Sequence, residues 1–320
     1  MRPLFCCLAL WLALSGCSKS GKPTIGVIPK GASHQFWLTV QAGALAAAEE
    51  NGYEIEWNAP ALEIDRARQI DIVQAMITRR LAGIAVAPVD RKALAAVIDR
   101  ASDAGIPVVV YDSDVDTPKR ITYIATDNRE GGRLAARRLA ELLGGKGKVG
   151  VVGFMPGSAS TQEREEGFYE EMKKHPEIVV LDLQFGMANR AKAMSVTENM
   201  LSAHKDLGGL FADNESSSAG AVQALRARGA KGVKLVAFDA SEQLIKELEQ
   251  GWIDSLIVQD PYKMGYESVV AIARKRRGES VTARQDLPAK LVLANQLNDA
   301  GIRALLFPDL SRIKGQPAAH

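Results

Sequence analysis

The sequence predicts an α/β protein built as two doubly wound, parallel-sheet lobes. Short apolar runs alternate with longer amphipathic stretches along most of the 320 residues. The apolar runs are nearly continuous in Val, Ile, Leu and Ala, which is typical of parallel strands covered by helices on both faces. The alternation starts again after residues 123–126, so each half is long enough to form a lobe with its own core.

The first half of the chain contains the elements of one such lobe. We expect strands at 24–29, 55–58, 83–87, 108–111 and 123–126, with helices at 36–51, 65–80 and 91–104. Gly52 follows the first of these helices, where a glycine commonly ends a helix. Helices between parallel strands provide right-handed crossovers, so these elements predict one sheet covered by helices.

The second half repeats the pattern with elements of similar size. We expect helices at 128–143, 161–174, 189–204, 216–228 and 242–250, with strands at 149–154, 178–185, 209–212, 234–238 and 253–259. Open sheets of this type bind ligands in the crevice beyond the carboxyl ends of their strands. The residues that follow each strand are therefore the candidates for function.

The amino terminus has the layout of a bacterial lipoprotein signal. Arg2 precedes an apolar run at 4–14, and the sequence LALSGC ends at Cys17. A helix needs about 20 residues to cross a hydrocarbon core of about 30 Å, so this run is too short to span a membrane. We expect residues 1–17 to direct export, Cys17 to carry lipid, and 18–23 to be a linker; a short helix with an incidental cysteine is the alternative.

Composition and motifs exclude several classes of function. All three cysteines lie in the first 17 residues, which leaves the exported part without a disulfide or a thiol metal site. The 40 Lys and Arg residues nearly balance the 38 Asp and Glu residues, so no broad basic surface for nucleic acid is expected. Carboxylates alternate at 112–116 as in a calcium loop, but the later glycine and glutamate are missing. We expect no metal and no cofactor.

Polar side chains follow most of the predicted strands. They are Lys30, Asp112, Asp127 with Asn128, Asn214, Asp239 and Gln259. Carboxylate and amide groups of this kind can accept from and donate to neighbouring hydroxyls of a small molecule. Phe36 and Trp37 add flat apolar faces. Asp and Asn are also common helix N-caps, so the interpretation depends on the whole set and not on any one member.

The set resembles the pentose and hexose branch of the type I periplasmic binding proteins, the ribose, arabinose and galactose receptors of ABC importers. The resemblance extends from residue 24 to about 293, through the segments IGVIPKGASHQFW, IPVVVYDSD, YIATDNREGGRLAA, EREEGF, FADNESSSAGAVQAL, VAFDASE and IVQDPYKMGYESV. It implies two lobes joined by a three-segment hinge, with crossings near 126–127, 259–261 and 286–288. Pro261 and Pro288 suit such crossings.

The resemblance also implies which residues touch the ligand. The implied contacts are Lys30, His34, Phe36, Trp37, Asp112, Arg164, Asn214, Asp239 and Gln259. Two positions differ from the ribose receptor: Ala188 stands where that receptor carries an aromatic residue, and Ser113 replaces the arginine after the acidic residue. These two differences put ribose itself in doubt, and a pentose, a hexose, a polyol or a sugar acid remains open.

The implied organisation is a first lobe of residues 24–126 plus 260–287, a second lobe of residues 127–259 plus 288–310, and a tail at 311–320. A sugar or polyol would bind in the cleft, the lobes would close, and the permease domains of an ABC importer would recognise the closed form of a monomeric, lipid-anchored protein.

Three other functions compete with import. The same fold can present bound sugar to a chemoreceptor or a sensor kinase, and the sequence does not separate these roles from import. A repressor core would need a DNA-binding helix-turn-helix before Thr24, where this chain carries an export signal. A glycosidase would need two placed carboxylates and a water, whereas the polar set suits binding, so we expect no enzymatic activity.

Overall fold

The structure is a computed structural model that describes residues 21–32 and 34–313. The predicted signal at 1–17, its lipidated Cys17, the start of the linker and residues 314–320 lie outside the described residues. Among the helices of the described part, none has the length and apolar character needed to cross a membrane.

A six-stranded parallel sheet forms the first lobe. Its strands are β1 (Thr24–Ile28), β2 (Glu54–Trp57), β3 (Gly83–Val86), β4 (Val108–Tyr111), β5 (Thr122–Thr126) and β12 (Arg284–Leu287). The strand order is β12-β5-β4-β3-β1-β2, and β1, β3, β4 and β5 are almost completely buried. Burial on both faces explains why these strands are continuous apolar runs.

A second sheet forms the other lobe. Its strands are β6 (Gly147–Gly153), β7 (Ile178–Val180), β8 (Gln184–Phe185), β9 (Leu207–Ala212), β10 (Lys234–Phe238), β11 (Ser255–Val258) and β13 (Lys290–Val292). The order is β13-β11-β10-β9-β6-β7, with β8 also paired to β6. Only the edge pair of β11 and β13 is antiparallel; the other pairs are parallel.

Helices cover both faces of each sheet. They are α1 (Gln35–Asn51), α2 (Arg66–Thr78), α3 (Ala95–Asp103), α4 (Asn128–Leu142), α5 (Ala159–Met172), α6 (Arg190–Ala203), α7 (Glu215–Ala227), α8 (Glu242–Glu249), α9 (Pro261–Arg276) and α10 (Ala300–Leu306). Two apolar cores lie on the two faces of each sheet. The predicted α/β fold with two lobes is confirmed.

The chain passes between the two sheets three times. It leaves the first sheet after β5 and enters α4, which packs against the second sheet. It returns after β11 through α9, whose Met264 and Ile272 lie in the core of the first lobe. It crosses again between β12, which pairs with β5, and β13, which pairs with β11. The first lobe is therefore completed by residues from the end of the chain.

Two predicted elements differ from the structure in instructive ways. The strand expected at 178–185 is two strands, because Val149 pairs with Val180 whereas Val152 pairs with Gln184. Between these two pairs, β6 advances by three residues and the segment opposite it by four. The segment opposite β6 therefore contains one extra residue, as in a bulge, and a bulge interrupts pairing. The helix expected from residue 91 begins at Ala95, because Asp90 Oδ1 accepts from the backbone N–H groups of Lys92 and Ala93 in a preceding turn.

Each lobe contains a pair of helices whose backbones touch through glycines. In the first lobe a Cβ on Gly43 of α1 would lie 2.0 Å from the carbonyl oxygen of Tyr262 in α9. In the second lobe a Cβ on Gly132 of α4 would lie 1.9 Å from the carbonyl oxygen of Arg164 in α5. A side chain cannot be accommodated at either position unless the helices move apart.

The end of the described chain adds a tie between the lobes. Leu306 of α10 is buried in a core of the second lobe. A few residues later, Arg312 forms an ion pair with Glu49 on α1 of the first lobe. The described part of the predicted tail, residues 311–313, therefore lies against the first lobe.

Candidate functional site

The candidate site is a cavity between the lobes, beyond the carboxyl ends of the strands. The empty space among its lining residues is about 400 Å³, part of which is open to solvent. All nine residues predicted as ligand contacts line it: Lys30, His34, Phe36, Trp37, Asp112, Arg164, Asn214, Asp239 and Gln259. Five residues that the sequence reasoning did not select also line it: Glu63, Phe154, Ser160, Thr161 and Glu215.

A buried ion pair forms one wall of the cavity. Lys30, directly after β1, places its Nζ 2.7 Å from Asp112 Oδ2, directly after β4. The ammonium group also donates to Ser160 Oγ of the second lobe at 3.1 Å. Both members of the pair are only 4 % exposed, so each charge depends on the other for compensation.

His34 and Trp37 hold a glutamate that reaches the cavity from a loop. Glu63 lies between β2 and α2, and its Oε1 accepts from Trp37 Nε1. His34 Nε2 lies 3.6 Å from the same oxygen, and His34 Nδ1 lies 2.8 Å from Glu215 Oε2 of the second lobe. Gly31 leaves room for this loop, since a Cβ there would lie 2.6 Å from Glu63 Cγ.

Arg164 in α5 is fixed by contacts to three elements of the second lobe. Its Nε donates to Asn128 Oδ1 at 2.8 Å, and its Nη1 donates to the backbone carbonyl of Asp213 at 2.7 Å. The guanidinium lies 3.7 Å from the centroid of the Phe238 ring, a favourable cation–π geometry. These contacts orient a planar group of donors toward the cavity.

Asp239 is held by neutral donors. Its Oδ1 accepts from Gln259 Nε2 at 2.5 Å, and its Oδ2 accepts from the Glu215 backbone N–H at 2.9 Å. Gln259 Oε1 in turn accepts from Thr126 Oγ1 of the first lobe at 2.6 Å. Burial raises the pKa of Asp239, and the nearby charge of Arg164 opposes that shift.

Asn214 is both a helix cap and a cavity residue. Its Oδ1 accepts from the backbone N–H of Ser217 at 3.1 Å, which caps α7. Its Nδ2 donates to Ser216 Oγ at 3.0 Å, and the side chain lines the cavity. The structure therefore shows the helix cap, and the ligand contact stays a prediction that the position beside the cavity permits.

The two aromatic residues form an L-shaped surface. The rings of Phe36 and Trp37 meet edge to face, with centroids 4.8 Å apart and an interplanar angle of 86°. Trp37 is 4 % exposed. Flat apolar faces of this kind suit the C–H side of a sugar ring.

Two further carboxyl groups lie behind Arg164. Asp213 is fully buried, and Glu165 follows Arg164 in α5. Burial raises the pKa of both groups, and their mutual repulsion raises the pKa of Glu165 further. The pair therefore holds a proton near neutral pH.

The two positions that differ from the ribose receptor have distinct surroundings. Ser113 Oγ accepts from the backbone N–H of Ser160 at 3.1 Å, which is another contact between the lobes. Ala188 lies in the loop after β8 with a φ of 52° and does not line the cavity.

Some of the missed cavity residues carried a usable signal. Phe154 directly follows β6, so the rule that selected Lys30 and Asp112 would have selected it. Glu215 is the first residue of α7, next to the selected Asn214. Glu63 had no such signal, because it lies in a loop away from the end of any strand.

The two α/β lobes share one polar cavity lined with aromatic residues, and side chains from both lobes reach it. This arrangement is that of a two-lobed solute-binding protein. The comparisons agree with this class. Residues 25–280 match the family model described as periplasmic binding protein domain. The chain belongs to this family, in its type I, ribose and arabinose branch. It is a binding protein and not an enzyme, and this family works outside the cytoplasm.

Curated relatives extend over most of the chain. The D-ribose/D-allose-binding protein of Pseudomonas aeruginosa is 32% identical over 286 residues, which cover 85% of this chain and 89% of the relative. The ribose import binding protein of Escherichia coli is 29% identical over 276 residues, which cover 85% of this chain and 91% of the relative.

Solved structures show the same architecture. An ABC transporter solute-binding protein from Agrobacterium vitis, bound with α-D-tagatopyranose, superposes with a TM-score of 0.86 at 31% identity. A carbohydrate transporter solute-binding protein from Agrobacterium radiobacter, in complex with D-arabinose, superposes with a TM-score of 0.87 at 29% identity. Each comparison covers 90% of this chain and 100% of the solved chain.

Proposed function

We propose that the protein captures a neutral sugar or polyol in the cavity between its lobes and delivers it to the permease domains of an ABC importer. One observation carries the proposal: hydrogen-bonding side chains from both lobes converge with Phe36 and Trp37 on a single cavity. We propose the nine predicted residues as the ligand contacts. Relatives that bind ribose, allose, arabinose and tagatose support this class of ligand.

The charges around the cavity favour a neutral ligand over a sugar acid. Four carboxylates line it: Glu63, Asp112, Glu215 and Asp239. The cationic candidates are Lys30, Arg164 and His34. Lys30 is already paired with Asp112, and two arms of Arg164 are occupied by Asn128 and Asp213. A ligand carboxylate would therefore add a negative charge to a buried site in which carboxylates already outnumber the cationic side chains, which is costly.

We propose that the two lobes move as rigid bodies about the three crossings. The first lobe is residues 24–126 plus 260–287, and the second is residues 127–259 plus 288–310. Contacts such as Lys30 with Ser160 form only when the cleft is closed. A ligand that bridges both lobes then stabilises the closed form by its differential affinity. The permease would recognise that form of a monomeric protein.

The LALSGC sequence supports attachment to a membrane through lipid on Cys17. Expression in a bacterial host with a labelled fatty acid tests this: the wild-type protein should carry the label and Cys17→Ser should not. Label retained by Cys17→Ser would contradict the assignment.

A thermal-shift screen tests the function itself, using the chain from residue 18 onwards against pentoses, hexoses, polyols and sugar acids, with calorimetry on each hit. A ligand at 100 times its Kd adds about 2.7 kcal/mol to the folded state. We expect one neutral sugar or polyol to give a clear shift and sugar acids to give none. A folded, ligand-free protein that responds to no neutral sugar or polyol would contradict the proposal.

A further inference from the structure

The imidazole of His34 lies between two buried carboxylates that come from different lobes. His34 is the N-cap residue of α1 in the first lobe. Its Nδ1 lies 2.8 Å from Glu215 Oε2 of the second lobe, and its Nε2 lies 3.6 Å from Glu63 Oε1 of its own lobe. Glu63 and Glu215 are 7 % and 6 % exposed. The ring therefore joins two buried anionic groups across the cleft.

The arrangement of the ring nitrogens determines which form of the ring fits. A neutral imidazole has one N–H group and one lone pair, so one nitrogen would present a lone pair to a carboxylate oxygen. Only the imidazolium has an N–H on each nitrogen and a positive charge between the two carboxylates; the 2.8 Å contact of Nδ1 is an ion-pair distance and not an aligned hydrogen bond. Glu63 Oε1 already accepts from Trp37 Nε1, which keeps that oxygen an acceptor.

The surrounding carboxylates also favour the protonated form of His34. Burial alone would lower the pKa of His34, but the contact with Glu215 and the charges of Glu63 and Glu215 raise it, against a smaller opposing effect of Arg190. Burial raises the pKa of Glu63, with Asp112 adding to the rise and His34, Trp37 and Lys30 opposing it. Arg190 pairs with the other oxygen of Glu215. The His34 imidazole therefore holds a proton more strongly in the closed cleft than an imidazole exposed to water would.

We propose that Glu63 and Glu215 belong to the binding machinery as the two ends of a clasp, joined across the cleft by a cationic His34, so that closing around the ligand takes up a proton. The proposal rests on the proposed function, because the clasp acts on ligand capture. When the lobes separate, His34 parts from Glu215 and its pKa returns toward the ordinary value. His34 is also one of the proposed ligand contacts; in the clasp it acts in addition as a positioning residue, through the two glutamates.

The sign of the pH effect follows from the direction of the shift. A group whose pKa is higher in the closed form stabilises that form fully below its ordinary pKa, about 6.5 for histidine. The stabilisation disappears as the pH rises through the raised pKa. Apparent affinity should therefore fall as the solution is made more alkaline.

Calorimetry on the full chain tests the clasp, with D-ribose, D-allose and D-arabinose as probes at about pH 6, 7 and 8, chosen to bracket the ordinary pKa of histidine. Two buffers of different ionisation enthalpy give the number of protons taken up. We expect uptake approaching one proton and an affinity that falls by at most about tenfold per pH unit. His34→Gln should bind more weakly at the acidic end and show a flat profile.

His175→Gln is the matched control, because His175 lies in the turn after α5, outside the cavity. It should keep the wild-type profile. A wild-type protein that binds a probe with no proton uptake, or a His34→Gln variant that keeps the profile, would overturn the clasp and leave the sugar-binding function standing.

Failure of all probes would instead count against the proposed function, and small-angle scattering without sugar then tests the clasp. We expect the wild-type radius of gyration to be smaller at about pH 6 than at about pH 8, on either side of the ordinary histidine pKa, and His34→Gln to remove the difference. Equal radii for the wild type at both values would overturn the clasp.

Discussion

The two halves of the cleft place a carboxylate by the same backbone device but compensate its charge differently. Asp112 follows β4 with a φ of 62°, and its N–H donates to the Ile124 carbonyl on the next strand. Asp239 follows β10 with a φ of 72°, and its N–H donates to the Ile257 carbonyl. Asp112 is paired with the Lys30 ammonium, whereas Asp239 accepts from an amide and a backbone N–H.

The same backbone conformation at Asp112 and Asp239 is therefore compatible with different partners for the carboxylate. A left-handed residue after a strand turns its side chain into the cleft in both lobes, and aspartate tolerates that conformation better than most residues. The first lobe then supplies an ion pair that also reaches across to Ser160. The second lobe supplies mostly neutral donors to Asp239, and its Arg164 guanidinium donates to Asn128 and to the Asp213 carbonyl instead. A ligand therefore meets two chemically different walls.

The glycine contacts between helices should produce the largest effects and distinguish the lobes. Gly132→Ala and Gly43→Ala should each destabilise the protein by about 3 kcal/mol or more, because the new Cβ would overlap backbone that cannot move independently. Gly132 faces the carbonyl of Arg164 itself, so the folded fraction of Gly132→Ala should also bind sugar more weakly. Denaturant titration and calorimetry measure both quantities.

Gly301→Ala is the matched control for these two variants. A Cβ at Gly301 would meet no atom within 4 Å, and alanine is about 1 kcal/mol more favourable than glycine inside a helix. Its stability should stay the same or rise. Wild-type stability in Gly132→Ala would show that the two helices are not in backbone contact.

Removing the carboxylate of the second lobe should weaken binding strongly. Asp239→Ala leaves the Gln259 amide and the Glu215 N–H without an acceptor in a buried cleft. We expect a loss of about 2–3 kcal/mol, or about 30- to 150-fold in affinity, by calorimetry. Asp239→Asn keeps an acceptor and tolerates a positive φ, so it should lose less. Equal losses would show that the charge, and not the hydrogen bonding, is what the ligand requires.

The support of Arg164 should have an intermediate effect. Asn128→Ala removes the acceptor for Arg164 Nε, and we expect a loss of about 1–2 kcal/mol in sugar affinity. Asn128→Asp keeps an acceptor and should retain most of the affinity. Unchanged affinity in Asn128→Ala would mean that the Asp213 carbonyl and the Phe238 ring suffice to orient the guanidinium.

The helix caps should have the smallest effects, equal in the two lobes. Asp65 accepts from the Arg68 N–H at the start of α2, and Asp127 accepts from the Glu130 N–H at the start of α4. Replacing either by alanine should cost about 1 kcal/mol of stability, measured by denaturant titration, with sugar affinity unchanged. A loss of affinity in Asp127→Ala, but not in Asp65→Ala, would show that the cap at the 126–127 crossing also affects closure or ligand binding.

The order of strands and helices could be predicted because burial on both faces leaves a clear apolar pattern. The break between β7 and β8 could not, since a one-residue bulge depends on pairing with β6 and not on local composition. Part of the cavity was also predictable, because ligand sites of parallel sheets lie beyond the carboxyl ends of the strands. Residues that directly follow a strand are therefore beside the cavity. Glu63 was not, because its position depends on the space beside Gly31 and on the Trp37 N–H.

The discontinuous first lobe has a consequence for the order of folding. When residues 24–126 emerge from synthesis or export, the edge of β5 has no β12 to pair with, and α1 has no α9 to cover its glycine face. An open strand edge and an uncovered apolar helix face favour association with other chains. The second lobe has nearly all of its strands in one continuous segment. The first lobe therefore begins to form earliest, but it cannot complete its sheet until almost all of the second lobe has been made.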